Sequence, residues 1–191
     1  MELEPSRIQV FVHKAVMGTL GSRRYRRFVK GLDLKGTEHV LDFGSGWGVN
    51  AKFIAKELLK GNGRLTCLDV SRTWLEVAKR TLRNMPNVDF RLGDISEQNV
   101  PDDTYDVIVV HFVLHDIDKA SRERTVKELA RVLRSDGRLV LKDPLKMGHG
   151  NTVEGIHDVM NKAGLKEHET HTSKTWLFGE TYNGVFVKGH S

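Results

Sequence analysis

Apolar residues along this chain recur with two different spacings, and the two alternate. Ile8, Phe11, Val12 and Ala15 follow the i, i+3, i+4, i+7 rule of one helix face, which predicts an amphipathic helix over residues 6–17. Gly18 and Gly21 break it, and a second short helix is expected over 22–31. From residue 39 short apolar runs alternate with helical patterns. His39–Phe43 reads as a strand. Ala51, Ile54, Ala55 and Leu58 mark a helix ending near Gly61, and Arg64–Asp69 reads as the next strand. Thr73 and Glu76 have the spacing of a capping box, opening a helix whose buried stripe is Trp74, Val77, Ala78 and Leu82. Val88–Leu92 is a third strand. Tyr105–Phe112 is a fourth, and its unbroken apolar run predicts burial on both faces. Val126, Leu129, Ala130 and Leu133 define a helix from about Ser121 to Arg134, after which Asp136–Gly137 turns the chain into strand Arg138–Lys142. Val153, Ile156 and Met160 line a helix closed by Gly164. Two strands, near Leu165–Thr172 and Tyr182–Lys188, finish the chain with no helix between them.

Strands alternating with helices predict βαβ units, a mostly parallel sheet and right-handed crossovers. The helix-free end predicts an antiparallel hairpin at the sheet edge. A length of 191 residues suits one domain of ordinary size. The expected division is a helical cap segment over 1–36 and a single compact domain over 37–191. The single cysteine, Cys67, excludes an internal disulfide framework and fits a reducing compartment. The longest apolar stretch, Val107–Leu114, falls far short of the ~20 residues that span a bilayer. The opening MELEPSR carries two acids and no apolar core, so no signal peptide is expected and a cytoplasmic location is.

Charge is unevenly placed. Residues 1–36 hold eight Lys/Arg against three acids, and the remaining 22 basic residues balance 22 acids, so the net +5 sits entirely in the N-terminal segment. Arg23, Arg24, Arg26 and Arg27 are its densest part. They read first as a solvated helix face and second as a surface that meets an anion.

Chemistry concentrates in VLDFGSGWG, Val40 to Gly48, where a buried strand runs through glycines 44, 46 and 48 into a helix. Glycines let the backbone approach a ligand without Cβ clashes, and a helix start offers free N–H groups. Several nucleotide-binding folds share this pattern. Asp69 ends the next strand, where a carboxylate either accepts from ribose hydroxyls or caps the following helix. Gly93 and Asp94 follow the third strand in RLGDI, where an aspartate suits an exocyclic adenine amine and Ile95 the ring. Val49 stands where a dinucleotide fingerprint has its third glycine, and Asp42 beside the loop suits a cationic group better than a pyrophosphate.

Taken in order, VLDFGSGWG, LTCLDVS, RLGDI and YDVIVVHFVLHDI resemble the first four motifs of class I S-adenosylmethionine (SAM)-dependent methyltransferases, and LARVLRSDGRLVLKDP resembles the segment around that family's fifth strand. The resemblance covers residues 37–190. It implies a three-layer α/β sandwich with a mostly parallel seven-stranded sheet, an antiparallel last strand and an N-terminal helical cap. It implies SAM as cofactor and S-adenosylhomocysteine (SAH) as product. Gly44 and Gly46 would line the methionine portion, with Ser45 and Trp47 in the same loop and Asp42 near the amino group. Asp69 would bind ribose with Val70 beside it, and Gly93, Asp94 and Ile95 would meet adenine.

Methyl transfer needs mainly an in-line approach of the nucleophile, with acid–base help only where the acceptor holds a proton. The loop after the fourth strand supplies the candidates. His111 and His115 are the expected proton-handling residues, with His111 also beside the cofactor and Asp116 as orienter. No metal is expected, because a strand–loop context breaks the i, i+4 geometry of the two histidines. The fourth motif lacks the Pro-Pro-aromatic signature resembling amino-group methylases. No cysteine stands where RNA cytosine-C5 enzymes keep theirs, and the paired glutamates of arginine methyltransferases are missing. A small-molecule acceptor is therefore expected. The alternatives are RNA or protein met through the arginine cluster, or a SAM-binding partner subunit that no longer transfers methyl groups.

Overall fold

β1 (His39–Phe43) is buried from Val40 to Phe43, where apolar Val40, Leu41 and Phe43 are joined by the carboxylate of Asp42. In the computed structural model, residues 4–5, 22–145, 151–175 and 179–189 are described. The helix expected over 6–17 lies outside them. The chain divides into two units, residues 1–94 and 95–191.

The first unit opens with α1 (22–31). Tyr25, Val29 and Leu32 are buried at i, i+4, i+7, while Arg23, Arg24, Arg26, Arg27 and Lys30 are exposed. β2 (Arg64–Asp69) pairs parallel with β1 from His39↔Arg64 to Phe43↔Leu68, and β3 (Val88–Leu92) pairs parallel with β2 from Leu65↔Val88 to Asp69↔Leu92. α2 (Val49–Leu58) buries Ala51, Ile54, Ala55 and Leu58, the face predicted. A tight crossing returns the chain to β2. The Gly63 amide donates to the Gly36 carbonyl at 2.7 Å, and a Cβ on Gly63 would stand 2.6 Å from that oxygen.

α3 (Arg72–Thr81) corrects two expectations. Its N-cap is Ser71, whose Oγ accepts from the Trp74 amide at 3.1 Å, so Thr73 and Glu76 form no capping box. Glu76 instead pairs with Lys79 at 2.8 Å. The buried stripe is Leu75, Ala78 and Leu82; Trp74 and Val77 are half-buried.

In the second unit β4 (Tyr105–His111) is buried from Val107 to Val110 and stops one residue earlier than expected. Phe112 takes φ 61°, a left-handed conformation that a side chain rarely adopts and that ends extended pairing. α4 (Lys119–Val132) is N-capped by Asp118, which accepts from the Ala120 and Ser121 amides. β5 (Leu133–Pro144) begins five residues earlier than predicted. Leu133 pairs with Tyr105, a bulge follows, and regular parallel pairing runs from Val107↔Arg138 to His111↔Lys142. α5 (Val153–Lys162) is capped by Thr152 and ends before Gly164 at φ 77°. β6 (Leu165–Thr175) and β7 (Gly179–Lys188) form the expected antiparallel hairpin, and β7 also runs antiparallel to β5. The seven strands lie in the order β3-β2-β1-β4-β5-β7-β6, an α/β, Rossmann-like sheet with its reversed strand next to the β6 edge.

Candidate functional site

Every strand in a parallel βαβ unit hands its carboxyl end to a loop, and in the first unit three such loops converge. β1 enters the glycine turn, where Gly44, Gly46 and Gly48 have φ of 70°, 52° and 81°. Gly48 could hardly be another residue. Besides its left-handed φ, a Cβ there would stand 3.2 Å from both Ala78 Cα and Leu82 Cδ1 of the neighbouring helix segment. The turn is tied to the end of β2. The Gly44 and Ser45 amides donate to the Leu68 carbonyl at 2.8 and 3.1 Å, and the Gly46 amide donates to Asp69 Oδ2 at 2.7 Å.

Asp69 is therefore more than the end of a strand. Its Oδ1 accepts from the Ser71 amide at 2.9 Å, so one carboxylate braces the glycine turn and the start of α3 together. A carboxylate has about four lone-pair sites, which leaves roughly two for a ligand. Burial pushes its pKa up, the Ser71 and Gly46 amides pull it down, and the Glu4 charge pushes it up again; the net shift is upward. Gly93, at φ 122°, donates to the Asp69 carbonyl at 3.0 Å, which brings the end of β3 to the same place. Asp94 follows it, exposed.

Two features of this loop cluster stand open among the described residues. Asp42 is 2% exposed, and its Oδ2 has no hydrogen-bond partner among the described residues. Burial, and secondarily the charge of Asp69, raises its pKa from 3.8 to about 7. The second feature is the start of α2. α3, α4 and α5 each have a side-chain cap, whereas α2 begins at Gly48 with none. Among the described residues the N-cap of α2 thus offers no side chain to the first N–H groups of the helix. Asn50, in that first turn, is 6% exposed with Oδ1 unpartnered. Trp47 is half-buried and Ser45 buried. Val70 is 48% exposed, one of two large apolar side chains so open among the described residues, while Ile95, in the second unit, is buried at 1%. Of that pair only Val70 offers an apolar face to a ligand.

Glu4 was not legible as part of this region. Its carboxylate accepts from Ser71 Oγ at 3.2 Å and from the Arg72 and Thr73 amides at 2.8 and 3.1 Å, which answers the open donors of α3 with a negative charge. The Thr73 side chain, helped by the Thr73 and Arg72 amides and Ser71 Oγ, holds its pKa below the usual carboxylate value against the opposing effect of desolvation. The stability it confers is present above pH ~4.5 and lost as pH falls below that value. We expect Glu4→Gln to lower the melting temperature at pH 7 by less than Glu4→Ala does, and to make the melt less sensitive to acid. A Glu4→Ala chain that melts like wild type at every pH would show the contact to be idle.

The second unit holds the histidines. His111 ends β4, with its ring 4.8 Å from that of Phe112. Burial, aided by the charge of Lys142, lowers its pKa to about 3, so its ring is neutral at physiological pH. His115 lies in the 3-10 turn Leu114–Asp116 and is 9% exposed. Its partner is Asp143 at the end of β5. Asp143 Oδ2 accepts from the His115 amide at 2.7 Å, and Oδ1 lies 3.1 Å from Nδ1. Asn151 donates to Asp143 Oδ2 as well. Asp116, the orienter expected from sequence, faces the other ring nitrogen, Nε2, at 3.4 Å. Sequence reading missed Asp143 and Asn151, because neither neighbours His115 in the chain. No group of three metal-ligating side chains occurs among the described residues.

A parallel sheet whose strand ends hold a glycine turn, a buried carboxylate and a helix start with no side-chain cap has the Rossmann-like arrangement. The methyltransferase-domain family profile matches residues 40–137, just over half of the chain, and the chain belongs to that family. Methyltransferase GfsG of Streptomyces halstedii is 33% identical over 132 residues, 67% of this chain and 45% of that protein. Demethylmenaquinone methyltransferase of Symbiobacterium thermophilum is 28% identical over 125 residues, 64% of this chain and 49% of that one. The chain thus matches about half the length of these curated relatives. Among solved structures, the (4+2)-cyclase SpnF superposes with a TM-score of 0.75 at 16% identity, over 87% of this chain and 82% of that one. Magnesium protoporphyrin IX methyltransferase of Synechocystis PCC 6803, solved with bound SAH, gives 0.72 at 17% identity, over 88% and 83%. At these identities the structural likeness is one of fold.

Proposed function

We propose that the chain transfers a methyl group from SAM to a small-molecule acceptor. One observation carries the cofactor: the buried, unpartnered carboxylate oxygen of Asp42 beside the uncapped start of α2. An amino-acid ligand brings an ammonium for the first and a carboxylate for the second. A pyrophosphate would suit the helix start and be repelled by Asp42. In this reading Asp42 holds the ammonium, the Gly44–Trp47 turn and the first amides of α2 hold the rest of the methionine portion, and Asp69 accepts from ribose. Val70 covers one face of adenine, and Gly93 and Asp94 border its edge. His111, as a neutral ring, and His115 are the proposed proton-handling residues. When bound, SAM supplies a sulfonium-activated methyl and leaves as a neutral thioether. The proposed domain is residues 37–191; most of the cap segment expected over 1–36 lies outside the described residues. A reducing, cytoplasmic setting is part of the proposal, supported by the lone buried thiol of Cys67. Among the described residues no helix is long and apolar enough to cross a membrane.

The acceptor reading is supported by relatives whose names carry a quinone precursor and a porphyrin. The test has two stages. Thermal melting with SAM or with NADH at the same concentration is expected to stabilise the chain with SAM alone, by about 2.7 kcal/mol once SAM reaches about 100 times its dissociation constant. Stabilisation by NADH and not SAM would overturn the cofactor. SAH release is then followed with reduced demethylmenaquinone as acceptor.

A second reading, a polyanionic acceptor such as RNA, is favoured by one observation. Arg23, Arg26, Arg27 and Lys30 fall at i, i+3, i+4, i+7 on the exposed face of α1, opposite Tyr25, Val29 and Leu32, and none has an acidic partner among the described residues. Tyr25 is buried, which removes one of the two aromatics near the cluster from base stacking. We expect weak binding of poly(U) at 150 mM salt, unaltered when Arg23, Arg24, Arg26 and Arg27 are all changed to alanine. Tight binding, lost in that variant, with a slope near 0.7 log units per neutralised phosphate, would install the polyanion reading instead.

A further inference from the structure

The stretch Asp69 to Thr73 joins the end of β2 to the first turn of α3, and it holds both the carboxylate that meets ribose and the apolar side chain that meets adenine in the proposed site. Val70 is 48% exposed, so packing does little to place it, and its position follows from the backbone on either side. Two carboxylates hold that backbone. Asp69 Oδ1 accepts from the Ser71 amide at 2.9 Å. Glu4 reaches the same stretch from 67–69 residues away. Its Oε1 accepts from the Arg72 amide at 2.8 Å, and its Oε2 from the Thr73 amide at 3.1 Å and from Ser71 Oγ at 3.2 Å. Ser71, 1% exposed, thus gives its amide to one carboxylate and its hydroxyl to the other. Starting α3 does not depend on Glu4, because Ser71 Oγ accepts from the Trp74 amide and the Ser71 carbonyl from the Leu75 amide. What Glu4 adds is a second grip on the stretch that Asp69 holds. All of these groups belong to the first unit.

We propose that Glu4 is a positioning residue for the cofactor: it clamps Ser71–Thr73 so that Asp69 and Val70 are in place for ribose and adenine, and bound SAM in turn tightens the clamp. This rests on the SAM reading of the site. A loop already ordered when the ligand arrives costs less to order on binding, and the affinity rises by that difference. The coupling is reciprocal. Whatever factor the docked Glu4 adds to the affinity for SAM, bound SAM adds to the docking of Glu4. Two carboxylates on one short stretch also repel, so the sign of the outcome depends on which effect is larger. Burial is the main cause raising the Asp69 pKa, and the Ser71 and Gly46 amides that oppose it each count for more than the charge of Glu4. At Asp69 the bonds therefore outweigh the repulsion, and ribose hydroxyls, as further donors to its carboxylate, act in the same direction as those amides.

Calorimetry with SAM on the full chain reads the coupling. Glu4→Ala is expected to bind SAM about tenfold more weakly, within the range usual for coupled sites. Glu4→Gln keeps an acceptor oxygen without the charge and should fall between that variant and wild type. Adenosine, used as a competitor of SAM, should lose the same factor as SAM, because the clamp acts at the ribose and adenine end. Amide exchange gives a second readout. In wild type, saturating SAM should slow exchange of the Arg72 and Thr73 amides by about tenfold beyond the slowing seen inside α3. In Glu4→Ala these two amides should gain nothing beyond it. A folded Glu4→Ala chain that melts lower yet binds SAM and adenosine as wild type does would make Glu4 a helix cap alone and overturn the proposal. A loss for SAM that adenosine does not share would overturn it too. Should Glu4→Ala fail to fold, Glu4→Gln carries the same comparison, and equal affinity there overturns the proposal. A wild-type chain that binds no SAM overturns the cofactor reading and the clamp with it, whereas SAM binding indifferent to Glu4 overturns the clamp alone.

Discussion

Replacing Asp69 by alanine is expected to lower the affinity for SAM by about 100-fold, the loss of roughly two charge-assisted hydrogen bonds to ribose after discounting for their non-additivity. The structure adds a reason beyond the lost contacts. Asp69 Oδ2 also holds the Gly46 amide, and Oδ1 holds the Ser71 amide, so the variant frees the glycine turn as well as the ribose. The fold should survive, because α3 keeps Ser71 Oγ and the Glu4 carboxylate at its start. Asp69→Asn is expected to lose less, since its oxygen serves either the Gly46 amide or the ligand. Calorimetry with SAM, beside circular dichroism to verify folding, reads both variants. A folded Asp69→Ala chain with unchanged affinity would remove Asp69 from the cofactor site.

How far such a site was legible in the sequence depended on whether its contacts were local. β1, β2 and β3 begin and end where the apolar runs do, because each run is short, buried and closed by a loop. The glycine turn was legible because three glycines in five residues leave few other uses. β5 was misjudged at its start because Asp136–Gly137 reads as a turn. Gly137 is there for a close approach instead: a Cβ on it would stand 2.8 Å from the Asp106 carbonyl, and the chain bulges there between its pairings at Leu133 and Arg138 rather than leaving the strand. The start of α3 held two overlapping capping patterns, on Ser71 and on Thr73. Tertiary contact decides between them, since Asp69 fixes the Ser71 backbone and Glu4 reaches the amides of Arg72 and Thr73. Glu4 and Asp143 were beyond reach for one shared reason. Their partners lie 67–69 and 28 residues away, and no periodicity links a carboxylate to amides at such distances.

The sheet by itself leaves the reaction open. A cyclase and a methyltransferase superpose on this chain about equally well, so the activity has to be argued from side chains rather than topology. Asp42, Asp69 and the start of α2 argue for the cofactor, and binding a cofactor does not by itself decide which reaction follows.

The affinity for SAM is expected to rise about tenfold per pH unit between pH 5 and 7 and to flatten above 7. Asp42 is the cause. Burial and the neighbouring charge of Asp69 lift its pKa from 3.8 to about 7, so in the ligand-free protein the protonated form persists through the mildly acidic range. A group raised in this way adds most to folding stability below its unfolded value. Ligand-free stability should accordingly fall as pH climbs from about 4 toward 7. An ammonium reverses the preference, since it requires the carboxylate. Binding below pH 7 must then expel the proton, at a cost of about 1.36 kcal/mol per unit. Above pH 7 the proton has already gone and the affinity is level. Calorimetry at pH 6 in two buffers of different ionisation enthalpy should register the release of close to one proton per SAM bound. Asp42→Asn keeps the shape without the charge and should bind weakly, with a flat profile. A wild-type affinity constant from pH 5.5 to 8, or a slope that survives in Asp42→Asn, would separate the titration from Asp42 and remove the ammonium from its side.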